Sequence, residues 1–175
     1  MKKRKVTELN RPTLKEYKKI AKLPVVAILD DIRSLHNVGS IFRTSDAFKI
    51  SHLYLCGITA CPPAPEIHKT ALGAEDSVEW TYCKHAEDLI RKLKQLGYTI
   101  CAVEQAEGSL SPDKMPVEKE KNYALIFGNE VKGVQQTLMD ICDICIEIPQ
   151  HGTKHSLNVS VSAGIILWEF FKKLH

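Results

Sequence analysis

No apolar run in the chain approaches the roughly 20 residues that a membrane-spanning helix needs. The basic residues at its start are not followed by the apolar stretch of a secretory signal. Both absences point to a cytoplasmic protein. Internal repeats and low-complexity segments are missing as well, which argues against solenoids and linkers. No G-x-G-x-x-G follows the first strand-like run, so a dinucleotide site of the Rossmann type is disfavoured. The Gly-x₄-Gly of Gly128 to Gly133 is followed by Val134-Gln135, where a phosphate loop requires Lys-Ser/Thr. There is no H-E-x-x-H or comparable ligand spacing, and His151 and His155, four apart, fall in a loop rather than on a helix face, so no metal is expected. The six cysteines (Cys56, Cys61, Cys83, Cys101, Cys142 and Cys145) mostly sit in or beside apolar runs. In a non-secreted chain they read as small buried hydrophobes rather than a disulfide frame. Cys142-x-x-Cys145 has no second pair at zinc spacing and leads into a strand, whereas a redox C-x-x-C opens a helix.

What is present is an ordinary globular composition of 175 residues, 44% hydrophobic and 26% charged, enough for one domain with a full core. The net charge of +3 conceals an asymmetry. Residues 1–22 hold nine Lys or Arg against two Glu, a net +7, so the other 153 residues carry −4. The division expected is therefore a basic N-terminal arm, 1–22, and a domain, 23–175. Such an arm is the electrostatic footprint of a polyanion partner. A solvated, solubilising tail is the alternative.

Apolar runs and amphipathic segments alternate along the chain. The pattern predicts strands over 24–30, 52–56, 78–82, 98–103, 122–127 and 144–148. It predicts helices over 13–22, 38–49, 67–74, 85–96, 135–139 and 156–174. The run from Pro24 to Asp30 is too short for a helix and is apolar throughout, as a strand buried on both faces is. In 85–96, Leu89, Ile90, Leu93 and Leu96 are placed inward, with Gly97 just past the end. The alternation predicts an α/β fold with a mainly parallel sheet of about six strands. The longest loop, 104–121, is polar and holds Gly108, Pro112 and Pro116. In the last helix Val159, Ala163, Ile166 and Phe170 form one apolar stripe, and Ile165 and Trp168 lie off it. One face can cover the sheet and the other a partner subunit, although burial of the whole helix in a monomer core would give the same pattern.

Three polar stations interrupt this pattern, each just after a predicted strand. The first holds Asn37, Gly39 and Arg43 at a helix start. The second is Gly128-Asn-Glu130-Val-Lys-Gly133, where a glycine lets a flat ligand approach the backbone and Glu130 suits a helix start. The third runs from Ile148 to Ser160 and holds His151, Lys154, His155, Ser156 and Asn158 in a loop that opens the last helix, with Ser156 a natural N-cap. Loops between strand ends and helix starts are where α/β proteins hold ligands.

In this order, Asn-x-Gly-x₃-Arg, Gly-Asn-Glu-x₂-Gly and Ile-Pro-x₂-Gly-x₃-Ser-Leu-Asn-Val-Ser closely resemble the three motifs of the SpoU/TrmH branch of the SPOUT RNA methyltransferases. The segment from His68 to Glu75 also looks like a connecting stretch of that family, and the resemblance covers about 25–170. It implies a parallel sheet whose C-terminal part is tied in a deep trefoil knot. It implies S-adenosyl-L-methionine in the knot loops, a homodimer with active sites at its interface, and methyl transfer to a ribose 2′-hydroxyl of RNA. By that resemblance the cofactor lies against Val103, Gly128, Ile148, Gln150 and Leu157. Arg43 acts beside the target ribose, and Asn37, Glu130, Ser156 and Asn158 complete the pocket. Gln150 stands where many relatives carry Met. A large added RNA-binding domain is absent, leaving the arm and the last-helix lysines to grip RNA. The RNA expected is tRNA; rRNA, or a non-catalytic RNA-binding role, are the alternatives.

A protonated Arg cannot readily serve as a base, since its pKa exceeds about 12. Arg43 fits better as a charge that holds a flanking phosphate bidentately and stabilises developing alkoxide. His36, His151 and His155 are rival bases.

Overall fold

The computed structural model describes residues 1–175, the side chain of Val6 excepted. Six strands form one wholly parallel sheet: β1 (Leu23–Asp30), β2 (Ile50–Cys56), β3 (Trp80–Cys83), β4 (Tyr98–Val103), β5 (Asn122–Phe127) and β6 (Ile144–Ile146). Their order is β3-β2-β1-β5-β4-β6. The helices are α1 (Leu14–Lys19), α2 (Leu35–Ala47), α3 (Pro65–Ala71), α4 (Ala74–Ser77), α5 (Ala86–Gln95), α6 (Gln136–Met139) and α7 (Val159–Leu174). Among the described residues no helix is long and apolar enough to cross a membrane.

Alternation along the central strands divides the core. Val25, Ala27 and Leu29 of β1 join Tyr123, Leu125 and Phe127 of β5 under α2, α3 and α7. Val26 and Ile28 join Ala124 and Ile126 under α5 and α6. This is why β1 is apolar from Leu23 to Leu29 and β5 from Tyr123 to Phe127: successive side chains enter one core or the other.

Element limits differ from the sequence reading where long-range contacts set them. α2 starts at Leu35, three residues before the expected 38, because Ser34 Oγ accepts from the Asn37 N–H and caps the helix. α7 starts at Val159 rather than at 156. Asn158, not Ser156, is its N-cap, with Oδ1 accepting from the Ser160 N–H at 2.8 Å. Leu96, expected inward, is at the C-terminal end of α5 and is 62% exposed. β6 ends at Ile146.

The 104–121 segment explains the short sixth strand. Leu110 runs parallel to Ile146 on the side away from β4. Its N–H donates to Cys145 O, and its carbonyl accepts from the Glu147 N–H, both at 2.9 Å. β6 therefore has β4 on one side and the β4–β5 connection on the other. That connection then reaches a 3₁₀ turn, Pro112–Lys114. There Lys173 of α7 donates to the carbonyls of Pro112, Asp113 and Met115 at 2.8, 3.0 and 2.9 Å. Lys172 pairs with Glu169 at 2.7 Å. Lys173, expected to grip RNA, is instead spent on the backbone of this connection.

α1 begins with a capping box between Thr13 and Glu16 and is anchored by Tyr17, which is buried and donates to Asp46 O at 2.7 Å.

Candidate active site at the strand ends

A cleft of about 640 Å³ opens beyond the C-terminal ends of β4, β5 and β6. It is lined by Val103 and the 104–106 stretch after β4, by the loop from Gly128 to Val134 after β5, and by Ile148, Gln150 and the 155–159 stretch after β6. The parallel strands bring three loops that are far apart in sequence to one edge. The five residues expected to face a cofactor, Val103, Gly128, Ile148, Gln150 and Leu157, all line it, as do Glu130, Ser156 and Asn158.

A hydrogen-bonded chain joins the three polar stations. The Glu130 carboxylate accepts from the backbone N–H of Arg33 at 2.9 Å and of Ser34 at 3.0 Å. It also accepts from Asn37 Nδ2 at 3.0 Å. Asn37 Oδ1 in turn accepts from Asn158 Nδ2 at 3.1 Å. Asn158 Oδ1 accepts from the N–H and the hydroxyl of Ser160 at the start of α7. Glu130 thus serves orphan donors ahead of α2, and Asn158 those of α7, while Asn37, almost fully buried, bridges them. Burial works against the Glu130 charge, but the bonds from Arg33, Ser34 and Asn37 outweigh it and hold the carboxyl below its usual value.

The second station is folded tightly. Asn129 and Gly133 exchange backbone hydrogen bonds, Asn129 Oδ1 accepts from the N–H groups of Val131 and Lys132, and Asn129 Nδ2 donates to Asp31 O at 2.6 Å. A Cβ at Gly128 would collide with the backbone of Gly133 and Val134, so only glycine permits this closure. Gly133 has φ +68°, and a Cβ there would strike the Glu104 carboxylate.

Arg43 stands apart. It is exposed on α2 and does not line the cleft, and Asn37 touches the cleft only through Glu130 and Asn158. Ser156 is exposed at the rim. Of the histidines, His155 reaches the cleft wall, whereas His36 and His151 do not.

Two wall residues escaped the sequence reading. Glu104 Oε1 accepts from the Gln105 N–H and Oε2 from the Val134 N–H, both at 2.8 Å, tying the loop after β4 to that after β5. Gln105 Nε2 donates to His155 O at 2.8 Å, tying the first loop to the third. Their position directly after β4 was the available signal, but a Glu-Gln pair in a polar loop carries no spacing of its own. The C-x-x-C cysteines are free thiols. Cys142 Sγ donates to Leu138 O and Cys145 Sγ to Glu104 O. Burial, with Cys145 and Asp143 nearby, pushes the Cys142 thiol up to about 11, away from thiolate chemistry.

The sequence pattern of the SpoU rRNA Methylase family matches residues 24–168. The chain is 31% identical over 150 residues to the 23S rRNA (guanosine-2'-O-)-methyltransferase RlmB of Nitrosomonas europaea, covering 85% of this chain and 56% of that protein. It spans 64% of a Staphylococcus aureus TrmH-family protein, matched at 30% identity over 93% of this chain. Less than two thirds of these curated relatives is therefore represented. In structure it superimposes on the A. aeolicus TrmH/SpoU tRNA modifying enzyme with TM-score 0.81 at 28% identity, covering 91% of this chain and 80% of that one. An AdoMet-bound rRNA methyltransferase from Sinorhizobium meliloti superimposes with TM-score 0.82 at 28% identity, covering 91% and 60%.

Proposed function

Because the chain belongs to the SpoU rRNA methylase family, we propose that it methylates a ribose 2′-hydroxyl of RNA, with S-adenosyl-L-methionine as donor. The observation that carries this reading is the bonded chain Glu130–Asn37–Asn158, which ties the three stations together beside a single cleft. The cleft fits the donor in size, since pockets for ligands of this class span about 300–1,000 Å³. It fits in chemistry as well: Val103, Ile148 and Leu157 give apolar walls, and strand-end backbone gives donors and acceptors. Val103, Gly128, Ile148, Gln150 and Leu157 would hold it there. S-adenosyl-L-methionine supplies an electrophilic sulfonium methyl when bound.

The protein's work is then alignment and activation of a weak nucleophile. Arg43 is the charge that holds the phosphate beside the ribose and stabilises the developing alkoxide. The 2′-oxygen would gain the methyl as the methyl's bond to sulfur breaks and the sulfur leaves as a neutral thioether, and the hydroxyl proton would pass to that phosphate or to water. Arg43 does not line its own cleft, so this role asks for a homodimer with the active site at the interface. Glu130, Asn37 and Asn158 keep the loops and the two helix starts in register, and Ser156 sits at the rim where RNA would enter. The reading includes a C-terminal knot, which the pairing of β6 with β4 on one side and with Leu110 on the other supports. It also takes 1–22 as an arm distinct from the 23–175 domain, and a cytoplasmic setting.

tRNA is the favoured acceptor, a reading supported by the superposition on the tRNA modifying enzyme over 91% of this chain and 80% of that one. The similarity to RlmB supports rRNA as the second reading. Labelled methyl from the donor, offered to unmodified tRNA and rRNA fractions and followed by nucleoside digestion, should yield a 2′-O-methylnucleoside from tRNA. Arg43→Lys keeps the charge but loses the fork. It should cut turnover at least 100-fold with donor binding intact, whereas wild-type turnover would reject the assigned role.

A further inference from the structure

The basic N-terminal segment leads into a helix, α1, that is fixed at the opposite edge of the sheet from the cleft. The cleft sits beyond the C-terminal ends of β4, β5 and β6. α1 is fixed at the other edge. Leu23, the first residue of β1, donates to Lys49 O just before β2. Tyr17 is anchored on Asp46 at the end of α2. Lys18 approaches Glu79, immediately before β3, at 3.8 Å. All strands run the same way, so these contacts mark the N-terminal edge. The eight residues of β1 separate the two edges by about 26 Å at ~3.3 Å per residue.

Charge follows the same division. Lys2, Lys3, Arg4, Lys5, Arg11, Lys15 and Lys19 are exposed, in a segment of net +7. The remainder, which forms the cleft, is net negative and has no general attraction for a polyanion. Lys173 is committed to backbone carbonyls and Lys172 to Glu169.

We infer that RNA is gripped at two places at least ~26 Å apart on each chain: by phosphate contacts to α1 and the segment before it, and by the target nucleotide at the cleft. This rests on the proposed RNA methyltransferase reading and specifies its substrate as a folded or extended RNA rather than a short oligonucleotide. The separation corresponds to roughly eight phosphates at ~3.4 Å along a strand. The α1 contacts carry no base readout; they add affinity and salt dependence.

The test compares the full-length protein with a variant in which Lys2, Lys3, Arg4, Lys5, Lys15 and Lys19 are changed to Gln. Two probes are used: an unmodified tRNA transcript and a mixed-sequence RNA of six nucleotides, each measured by anisotropy from low to physiological salt. The variant should lose at least 10-fold in affinity for the transcript, with a shallower salt slope, and change less than 2-fold on the hexamer. Equal loss on both probes would place the basic segment at the cleft, and no loss on the transcript would make it a solvated tail; either result overturns the inference. Calorimetry with S-adenosyl-L-methionine and the methyl-transfer assay run alongside. Failure of transfer in the wild type with this affinity pattern intact would reject the reaction while leaving the two-point grip standing.

Discussion

Glu130 shows how one carboxylate can tie distant segments together at the wall of a cleft. It takes two backbone N–H groups ahead of α2 and the Asn37 amide, and its neighbour Asn129 holds the loop against Asp31. Glu130→Gln keeps the shape but loses the charge, and bonds to charged groups contribute about 1.5–3 kcal/mol each. An overall loss of about 1–2 kcal/mol in urea unfolding at pH 7 is expected, with weaker binding of S-adenosyl-L-methionine. The pH dependence has a definite sign. Hydrogen bonds hold the folded-state pKa of Glu130 below its ordinary 4.5. Its contribution is therefore complete above that value and is lost as pH falls through the lower, folded-state value. The stability gap between wild type and Glu130→Gln should be constant from pH 7 to about 5 and close below 4.5. A gap that widened with acid would mean that the carboxylate is not the stabilising form.

At the scale of elements, the strand-and-helix alternation was readable because the central strands β1 and β5 fill two cores and are apolar along almost their whole length, and the polar stations fall after strand ends. Val103, Gly128, Ile148, Gln150 and Leu157 are what the family resemblance implies, its motifs falling at or near those strand ends. What could not be read was how distant segments meet. The early start of α2 depends on Ser34 and on Glu130, 96 residues from Ser34. The capping of α7 by Asn158 rather than Ser156 depends on the position of Asn37. The wrapping of 104–121 around β6 leaves no periodic trace, since a segment that makes one backbone bridge through Leu110 needs no alternating pattern. Lys173 is the clearest case. In sequence it suits a helix C-terminus and a polyanion; in the fold its ammonium donates to the carbonyls of Pro112 and Asp113 in the 3₁₀ turn and of Met115 just after it. Lys173→Met would keep the stem packed and leave those carbonyls to water. The 104–121 connection should then be cut faster in limited proteolysis, and donor affinity should fall several-fold, because Glu104 and Gln105 of the same connection form a cleft wall. Unchanged proteolysis would show that Leu110 and Met115 suffice to hold it.

On the scale of the whole molecule, two surfaces make incomplete sense in one chain. Along α7, Val161, Ile165 and Trp168 follow one another at i, i+4 and i+7 and are 49%, 38% and 46% exposed, although the opposite face, with Ala163, Ile166, Leu167 and Phe170, is fully packed. Trp168 also stacks on Phe171 and touches Phe48 at the end of α2, with ring centroids 5.6 and 5.5 Å away. An apolar stripe of this kind on an otherwise covered helix favours a second copy. Arg43 lies on that same α2, exposed and outside its own cleft. A single arrangement would account for both: the proposed homodimer, with α7 covered and Arg43 carried towards the other subunit's cleft. The consequence separates binding from transfer. The cleft is built from loops of one chain, so a monomer should still bind S-adenosyl-L-methionine, but it should lack the arginine at the ribose. Ile165→Glu places a charge in the middle of the stripe, where full burial of an aliphatic side chain is worth about 1.5–3 kcal/mol. Light scattering should show the mass fall from twice 19.7 kDa to 19.7 kDa, with calorimetric donor affinity within about 3-fold of wild type and methyl transfer reduced at least 100-fold. A monomeric variant that transferred methyl at the wild-type rate would place Arg43 outside the chemistry and return the search for the ribose-activating group to the cleft's own residues.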